Sequence, residues 1–353
     1  MPDSTVLWWG RFDPGYSRNR IVRKLLADLG WRIRDFRPRI SATGDIEAAL
    51  RRIPVPDLVW VPCFRQRDAA AAARWAARHS VPMVFDPLIS AWDKQVFEHG
   101  KFAADDPRAR KLLEQERRLF AAADMVLADT GAHRDFFLKA FGLDGDRVAV
   151  VPVGAEESLF KPSPPRDRAD GPVEILFYGS FIGLQGPQVI VEAARLYDGP
   201  PVNWRLLGEG PLLGACKEQA RDLSSVKFEP WLDYDKLPVR IGAADILLGV
   251  FGASDKAARV IPNKVFQALA CGRPVVTRAA PAYPAALAAS DGIAFVPANE
   301  PQALAASVAD WAGAPDRLAA RCEAAASIYR RHFANDAIRN SLRDALSRLV
   351  TSD

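Results

Sequence analysis

"PNKVFQALACGRPVVT", residues 262–277, decides how this chain is read. Pro262 and Asn263 open a turn, Lys264 to Cys271 has the spacing of a short helix, and Val275-Val276-Thr277 is a buried-strand run. Gly272 and Pro274 stop the helix and admit the strand. Val265, Phe266, Leu269 and Ala270 share one helical face and account for packing. They leave Asn263, Lys264 and Gln267, in the first two turns, without a packing role. A cation near the positive end of a helix dipole is misplaced unless an anion lies beside it. The junction asks for a negatively charged ligand.

The same strand–turn–helix unit recurs along the whole chain. Strand runs "TVLWWG", "WRIRDF", "DLVWVP", "PMVFD", "MVLAD" and "RVAVVPV" alternate with helical stretches at 17–29, 68–78 and 107–122. "KPSPPRDRADGP" (161–172), rich in proline and charge, reads as a linker. The alternation then restarts with "VEILFYG", "VNWRLLGEG", "VKFEP", "DILLGVFG", "PVVT" and "IAFVP", with helices at 187–196, 211–223 and 264–271. Such alternation predicts an α/β protein of two Rossmann-like, doubly wound parallel sheets, with ligands at strand C-terminal ends and a cleft between the halves. The tail from 301 to 349 is helical throughout, broken at Gly313 to Pro315. Domains are expected at 1–165 and 166–333, followed by a last helix within 334–353. No internal repeat or low-complexity segment interrupts this pattern.

Composition sets the bounds. Of the 353 residues 49% are hydrophobic and 25% charged, which is ordinary for a globular protein of two domains. No apolar run approaches the ~20 residues of a membrane span, and the start does not resemble a signal peptide, so a cytoplasmic protein is expected. Cys63, Cys216, Cys271 and Cys322 are scattered, without CxxC spacing or a histidine partner, and predict buried thiols and no metal site. The first 80 residues carry fifteen Lys+Arg against eight Asp+Glu. That excess fits either a solvated basic face or one that meets anionic lipid headgroups or an anionic acceptor, peripherally at the inner membrane face. Nucleic acid is not expected, because no nucleic-acid motif accompanies the charge.

Three strand–loop–helix junctions carry candidate ligand residues. "ILFYGSFIGLQG" leads from a buried strand into Gly179, Ser180, Gly183, Gln185 and Gly186, and "WRLLGEGPLL" into Gly208, Glu209 and Gly210. Glycines there let backbone approach phosphate, although neither stretch is a Walker loop or a GxGxxG. A structural turn fits each equally well. At the third junction Lys256 and Arg259 precede Asn263, Lys264 and Gln267, a set of cations suited to a diphosphate. Trp231 is either a wall for a nucleobase or core packing. In "LDYDK", Asp233 or Asp235 is read as a helix cap rather than as a metal-binding DxD.

In the first half, Gly10, Arg11, Gly15, Tyr16, Ser17, Arg18 and Asn19 form a loop between strand and helix, with Ser17 as candidate cap. Arg18 is placed to serve a ligand or to face solvent. Asp86, ending "PMVFD", either orients or deprotonates an acceptor hydroxyl or caps the following turn. His133 in "DTGAHRDFF" falls on a helix face and reads as a supporting residue, with catalysis as its other reading.

The blocks "FYGSFIGLQG", "LLGEGP", "VKFEPWLDYDKLP" and "IPNKVFQALACGRPVV" together resemble the donor half of a family 4-type, GT-B glycosyltransferase (glycosyl transferases group 1). "GRFDPGYSRNRIVRKLLADLGWRI" is similar to the loop and first helix of that family's acceptor half, and "DPLISAWDK" with "ERRLFAAADMVLADTGAHRDFF" to its inner strands. The resemblance covers nearly the whole chain. It implies a nucleoside-diphospho-sugar donor held by the second domain and an acceptor held by the first. It implies transfer with retention of configuration, without a metal or other cofactor, to a glycan, lipid-linked or small-molecule acceptor in envelope polysaccharide assembly. The last helix would brace the first domain. Lys264, Arg259 and Lys256 would hold the diphosphate and stabilise its departure.

The departures point to a divergent branch. Many members carry two glutamates separated by seven intervening residues where this chain has Arg259 and Gln267; Gln267 can still hydrogen-bond a ribose hydroxyl. Many have Lys-Gly where this chain has Gln185-Gly186, and often a histidine where it has Asp86. Two rival readings stay open: a GT-B nucleotide-sugar epimerase, against which the lost glutamates argue, and a degenerate GT-B protein that binds nucleotide or a partner without turnover.

Overall fold

The computed structural model describes residues 4–98, 100–166 and 171–350. The middle of the expected linker, 167–170, lies outside them. The described residues form two compact units, one made of those up to Val153 together with those from Asn335 on, and one made of those between Gly154 and Ala334.

The first unit is built on a six-stranded parallel sheet in the order β2-β1-β3-β4-β5-β6. Its strands are β1 (Thr5–Trp9), β2 (Arg32–Phe36), β3 (Leu58–Val61), β4 (Met83–Phe85), β5 (Met125–Ala128) and β6 (Val148–Val150). The second unit carries β7 (Val173–Tyr178), β8 (Val202–Leu207), β9 (Val226–Glu229), β10 (Ile246–Leu248), β11 (Val275–Arg278) and β12 (Ile293–Val296) in the order β12-β11-β10-β7-β8-β9. Each expected strand run holds one of these strands.

Alternation along a strand sends successive side chains to opposite faces, and in the first unit both faces are apolar. Val6 and Trp8 of β1, with Leu58 and Trp60 of β3, pack on one side; Leu7, Trp9, Val59 and Val61 pack on the other. The first of these cores is completed by Ile338, Leu342, Ala345 and Leu346 of helix Asn335–Val350, so the C-terminal helix is part of the first unit. The second unit has its own core around Ile175, Phe177, Trp204, Ile246 and Leu248.

The boundary lies earlier than the proline-rich stretch suggests. Residues 154–166 belong to the second unit, because buried Arg273 holds the carbonyls of Ser163 at 3.0 Å and Pro164 at 2.5 Å, and Ser163 N–H donates to Cys271 O. Proline and charge signal an irregular backbone there. They do not signal that it is undocked.

Candidate functional site

In an open parallel sheet, ligands bind at strand C-terminal ends, where the winding direction reverses. In the second unit the reversal falls between β10 and β7, and there the three glycine-bearing junctions interlock. Phe181 N–H donates to Glu209 O at 2.7 Å, Phe251 N–H donates to Gln185 O at 3.1 Å, and Gly179 N–H to Leu207 O at 3.0 Å. Gly179 (φ +144°) and Gly208 (φ +137°) take up conformations that side chains disfavour, and a Cβ on Gly208 would run into the carbonyl of Gly179. Gly186 is pressed against Gly252, and Gly210 against Phe181. Gly183, Ser180 and Glu209 are exposed on the outside of these loops. The backbone here is packed so closely that a side chain at Gly186, Gly208 or Gly210 would collide with neighbouring backbone.

Lys264 lies beneath this layer. Helix Asn263–Ala270 begins at Pro262, which offers no side-chain cap, and every residue from Lys264 to Ala270 is buried. The expected single apolar face is therefore a helix enclosed on all sides, with Phe266 edge-on to Phe333 at 4.9 Å. Only 6% of Lys264 is exposed. Its Nζ donates to Gln185 Oε1 at 2.7 Å and stands 3.7 Å from the centroid of the Phe177 ring. Among the described residues no carboxylate pairs with it, and burial pushes its ammonium well below the ordinary lysine range. A Cβ added to Gly179 would come within 3.1 Å of Nζ, so the glycine loop and the lysine face the same small space.

The other donor-side candidates divide. Lys256 and Arg259 lie on the short helix Asp255–Arg259, Lys256 buried and Arg259 partly so. A further cation, missed in the sequence, supports that segment. Arg278, at the buried end of β11, donates through Nη1 to Gly252 O at 2.5 Å and Ser254 O at 3.3 Å. The signal was present as an arginine ending an apolar strand, "VVTR".

Gln267 is engaged within the protein. Its Oε1 accepts from Tyr178 Oη at 2.8 Å and its Nε2 donates to Tyr234 Oη at 3.3 Å, so both ends of the amide are engaged. Trp231 is 52% exposed, which removes the core-packing reading. Neither Asp233 nor Asp235 caps a helix through its side chain; Asp233 pairs instead with Lys236 at 2.7 Å. Among the described residues no three His, Cys, Asp or Glu side chains gather as metal ligands.

The strand ends of the first unit hold a different arrangement. Arg18 and Asp86, 68 residues apart, form a fully buried ion pair, Nε to Oδ2 at 3.0 Å and Nη2 to Oδ1 at 3.3 Å. Arg18 Nη1 also donates to Val151 O at 2.9 Å and Pro152 O at 2.6 Å. Arg18 thus neither faces solvent nor stands free for a phosphate, and Asp86 neither caps a turn nor waits as a free base. Burial pushes the Asp86 carboxyl up, against the pull of Arg18 toward its charged form.

Asn19 is likewise engaged. Its Nδ2 donates to Asp13 O at 2.7 Å and its Oδ1 accepts from Cys63 Sγ at 3.2 Å. Ser17 is the first helical residue rather than the cap, a position taken by Tyr16, whose ring meets Phe64 edge-on. Gly10 (φ +134°) presses on Asp68, Gly15 N–H donates to Asp13 Oδ1, and Arg11 is exposed. His133 is buried on helix Gly131–Phe141 with Nδ1 2.6 Å from Asp129 Oδ1 and its ring against Phe137.

With this geometry in place, comparison with known families is direct. Residues 11–154 match a glycosyl transferase 4-like domain, and residues 172–312 match glycosyl transferases group 1. The chain belongs to this glycosyltransferase family. The GT-B fold of the family is seen in solved structures that match nearly the full chain. One is HepE from Anabaena, crystallised with UDP (TM-score 0.70, 17% identity, 98% of this chain and 100% of that one). Another is sucrose-phosphate synthase from Thermosynechococcus elongatus (TM-score 0.75, 17% identity, 100% of each chain).

Curated relatives include D-inositol 3-phosphate glycosyltransferases. That of Geodermatophilus obscurus is 28% identical over 73% of this chain and 59% of its own length. That of Arthrobacter sp. strain FB24 is 29% identical over 49% of this chain and 44% of its own. The chain thus spans about half the length of the curated relatives it matches. In this member Gln267 is held between Tyr178 and Tyr234 by hydrogen bonds to both hydroxyls.

Proposed function

We propose that this protein is a retaining glycosyltransferase that moves a sugar from a nucleoside diphosphate to an alcohol acceptor. The observation that carries the reading is Lys264, an ammonium held under a glycine loop and at an uncapped helix start, with a neutral amide as its partner. A diphosphate would give that charge its counter-ion, accept hydrogen bonds from the adjacent backbone, and gain stabilisation as negative charge develops on the leaving oxygen. Lys256 and Arg259 are the further cations proposed for it, with Asn263 at the helix start, so that charge is balanced by side chains without a metal. Trp231 is proposed to stack on the base. Gln267 positions Tyr234 rather than touching the ribose.

UDP is the first nucleotide to test, because HepE was crystallised with it. The acceptor is proposed to bind the first unit near the exposed loop of Arg11 and Gly15. Asp86 and His133 then support that loop from beneath, without taking a proton from substrate. The test is release of diphosphate from UDP-, GDP- and ADP-sugars in the presence of polyol and glycan acceptors. One donor should turn over, with product of unchanged anomeric configuration by NMR, and the activity should vanish in Lys264→Ala. Binding of a diphosphate with no turnover on any acceptor would favour the non-catalytic reading, to which the engaged Gln267 lends support.

A further inference from the structure

Ten large apolar side chains are exposed among the described residues, and four of them fall within residues 40–55 of the first unit: Ile40, Ile46, Leu50 and Val55. The other six are spread over 64–239. Scattered exposed apolar residues are ordinary; a cluster calls for a cause.

Local structure brings this cluster together. Helix Gly44–Leu50 is pinned on its inner side: Gly44 packs on Trp9 and Pro38, Asp45 pairs with Arg74 at 2.7 Å, and Ala48 enters the core. Ile46 and Leu50, four residues apart, therefore share the opposite face, 56% and 80% exposed. Arg39 N–H donates to Glu47 Oε2 at 2.7 Å, which draws Ile40 beside that face. Arg52 turns back in a left-handed conformation (φ +51°), leading the chain on to Val55.

Charge around the cluster is predominantly positive. Residues 32–55 hold six arginines, all exposed, against three acids. Each acid is already paired, Asp35 with Arg23, Asp45 with Arg74 and Glu47 with Arg51. Arg32 and Arg34 lie on β2, which is the outer strand of its sheet.

We propose that this surface seats the protein on a bilayer containing anionic lipid. The apolar face of helix Gly44–Leu50 enters the headgroup boundary and the surrounding arginines meet phosphate, the combination of shallow apolar burial and basic charge by which peripheral helices bind. An apolar patch alone would fit another protein equally well. An excess of exposed arginines over acids, each acid already engaged and only Glu47 by one of the six, Arg51, selects a surface dense in negative charge. No helix among the described residues is long and apolar enough to cross a membrane, so the attachment is peripheral and reversible.

Flotation of the full chain with vesicles tests this without nucleotide or acceptor, so the outcome is independent of the catalytic reading. With about one-third phosphatidylglycerol in phosphatidylcholine, the protein floats at ~0.1 M salt and is released at ~1 M, where the screening length falls to about 3 Å. Pure phosphatidylcholine leaves it behind. Leu50→Glu lowers binding at least about tenfold, and Arg34→Gln with Arg39→Gln lowers it about fivefold per charge. Val239→Glu, which alters a side chain 79% exposed in the second unit, binds as wild type. Because Leu50 is exposed, the variant should melt at the wild-type temperature. Failure to float with anionic vesicles overturns the proposal, as does Leu50→Glu floating normally. Capture by polyglutamate without vesicle binding would assign the surface to an acidic macromolecule and would equally overturn it.

Discussion

The two units place a buried cation at the C-terminal ends of their sheets and treat it in opposite ways. Arg18 in the first is paired with Asp86 and donates to two carbonyls, leaving little of its charge unanswered. Lys264 in the second has one neutral amide and an aromatic face. The residue types suit the roles. A guanidinium presents a rigid fork of donors that backbone and carboxylate can saturate, whereas an ammonium is a compact charge that shifts its pKa when buried. One site is closed by its own partners. The other is open and, in the proposed function, awaits an anion.

The largest effect should come from breaking the closed site. Asp86→Ala leaves Arg18 buried without a counter-ion and should cost about 3–5 kcal/mol of stability in denaturant melts. Replacing both partners, Arg18→Met with Asp86→Leu, should recover most of that loss, because a buried ion pair contributes little net stability over apolar packing. If Asp86→Ala were stable yet inactive, Asp86 would be acting on substrate and the contrast between the sites would fail.

Lys264→Ala should behave in reverse. Removing a buried, uncompensated ammonium should leave the melting temperature unchanged or raise it, while diphosphate affinity falls by about 1.5–3 kcal/mol, the worth of a charged hydrogen bond. Titration sharpens the same point. Burial lowers the Lys264 pKa, so the unfolded chain holds more protons than the folded one between the lowered folded value and the ordinary lysine value. Stability without ligand should rise with pH across that window, and Lys264→Met should abolish the rise. A diphosphate favours the ammonium, so binding inside the window should take up protons, visible as heats that depend on buffer ionisation enthalpy. Proton release, or no dependence on buffer, would contradict an unpaired lysine.

A smaller change is expected at the tyrosine–glutamine linkage. Tyr234→Phe removes one partner of Gln267 Nε2 and should cost about 1 kcal/mol in stability. In the proposed function it also weakens nucleoside diphosphate binding while leaving inorganic pyrophosphate binding alone, because Tyr234 follows Trp231 by three residues and bonds Gln267 rather than the lysine ammonium.

Much of this was legible in the sequence for a physical reason. Parallel strands buried on both faces must be short apolar runs, so "LVWV", "MVLA" and "EILF" could be placed from composition and spacing. The glycine junctions were legible too, because Gly179 and Gly208 occupy backbone conformations and close approaches that other residues would spoil. Partnerships over long sequence distances were not. Nothing local to Arg18 announces Asp86, and nothing near Gln267 announces Tyr178, 89 residues away. Their side chains look available until the fold engages them. The short helices Gly44–Leu50 and Asp255–Arg259 also escaped notice, since one or two turns are too few to establish a period. The first of these carries the exposed apolar face, so a functional surface was hidden by its brevity.

The most direct measurement is calorimetric titration of UDP into wild type and Lys264→Ala under the same buffer. The open-site account predicts specific binding to wild type and its loss in a variant that melts at the same or a higher temperature. Equal binding by both proteins would contradict it, and would make Lys264 a second closed site like Arg18.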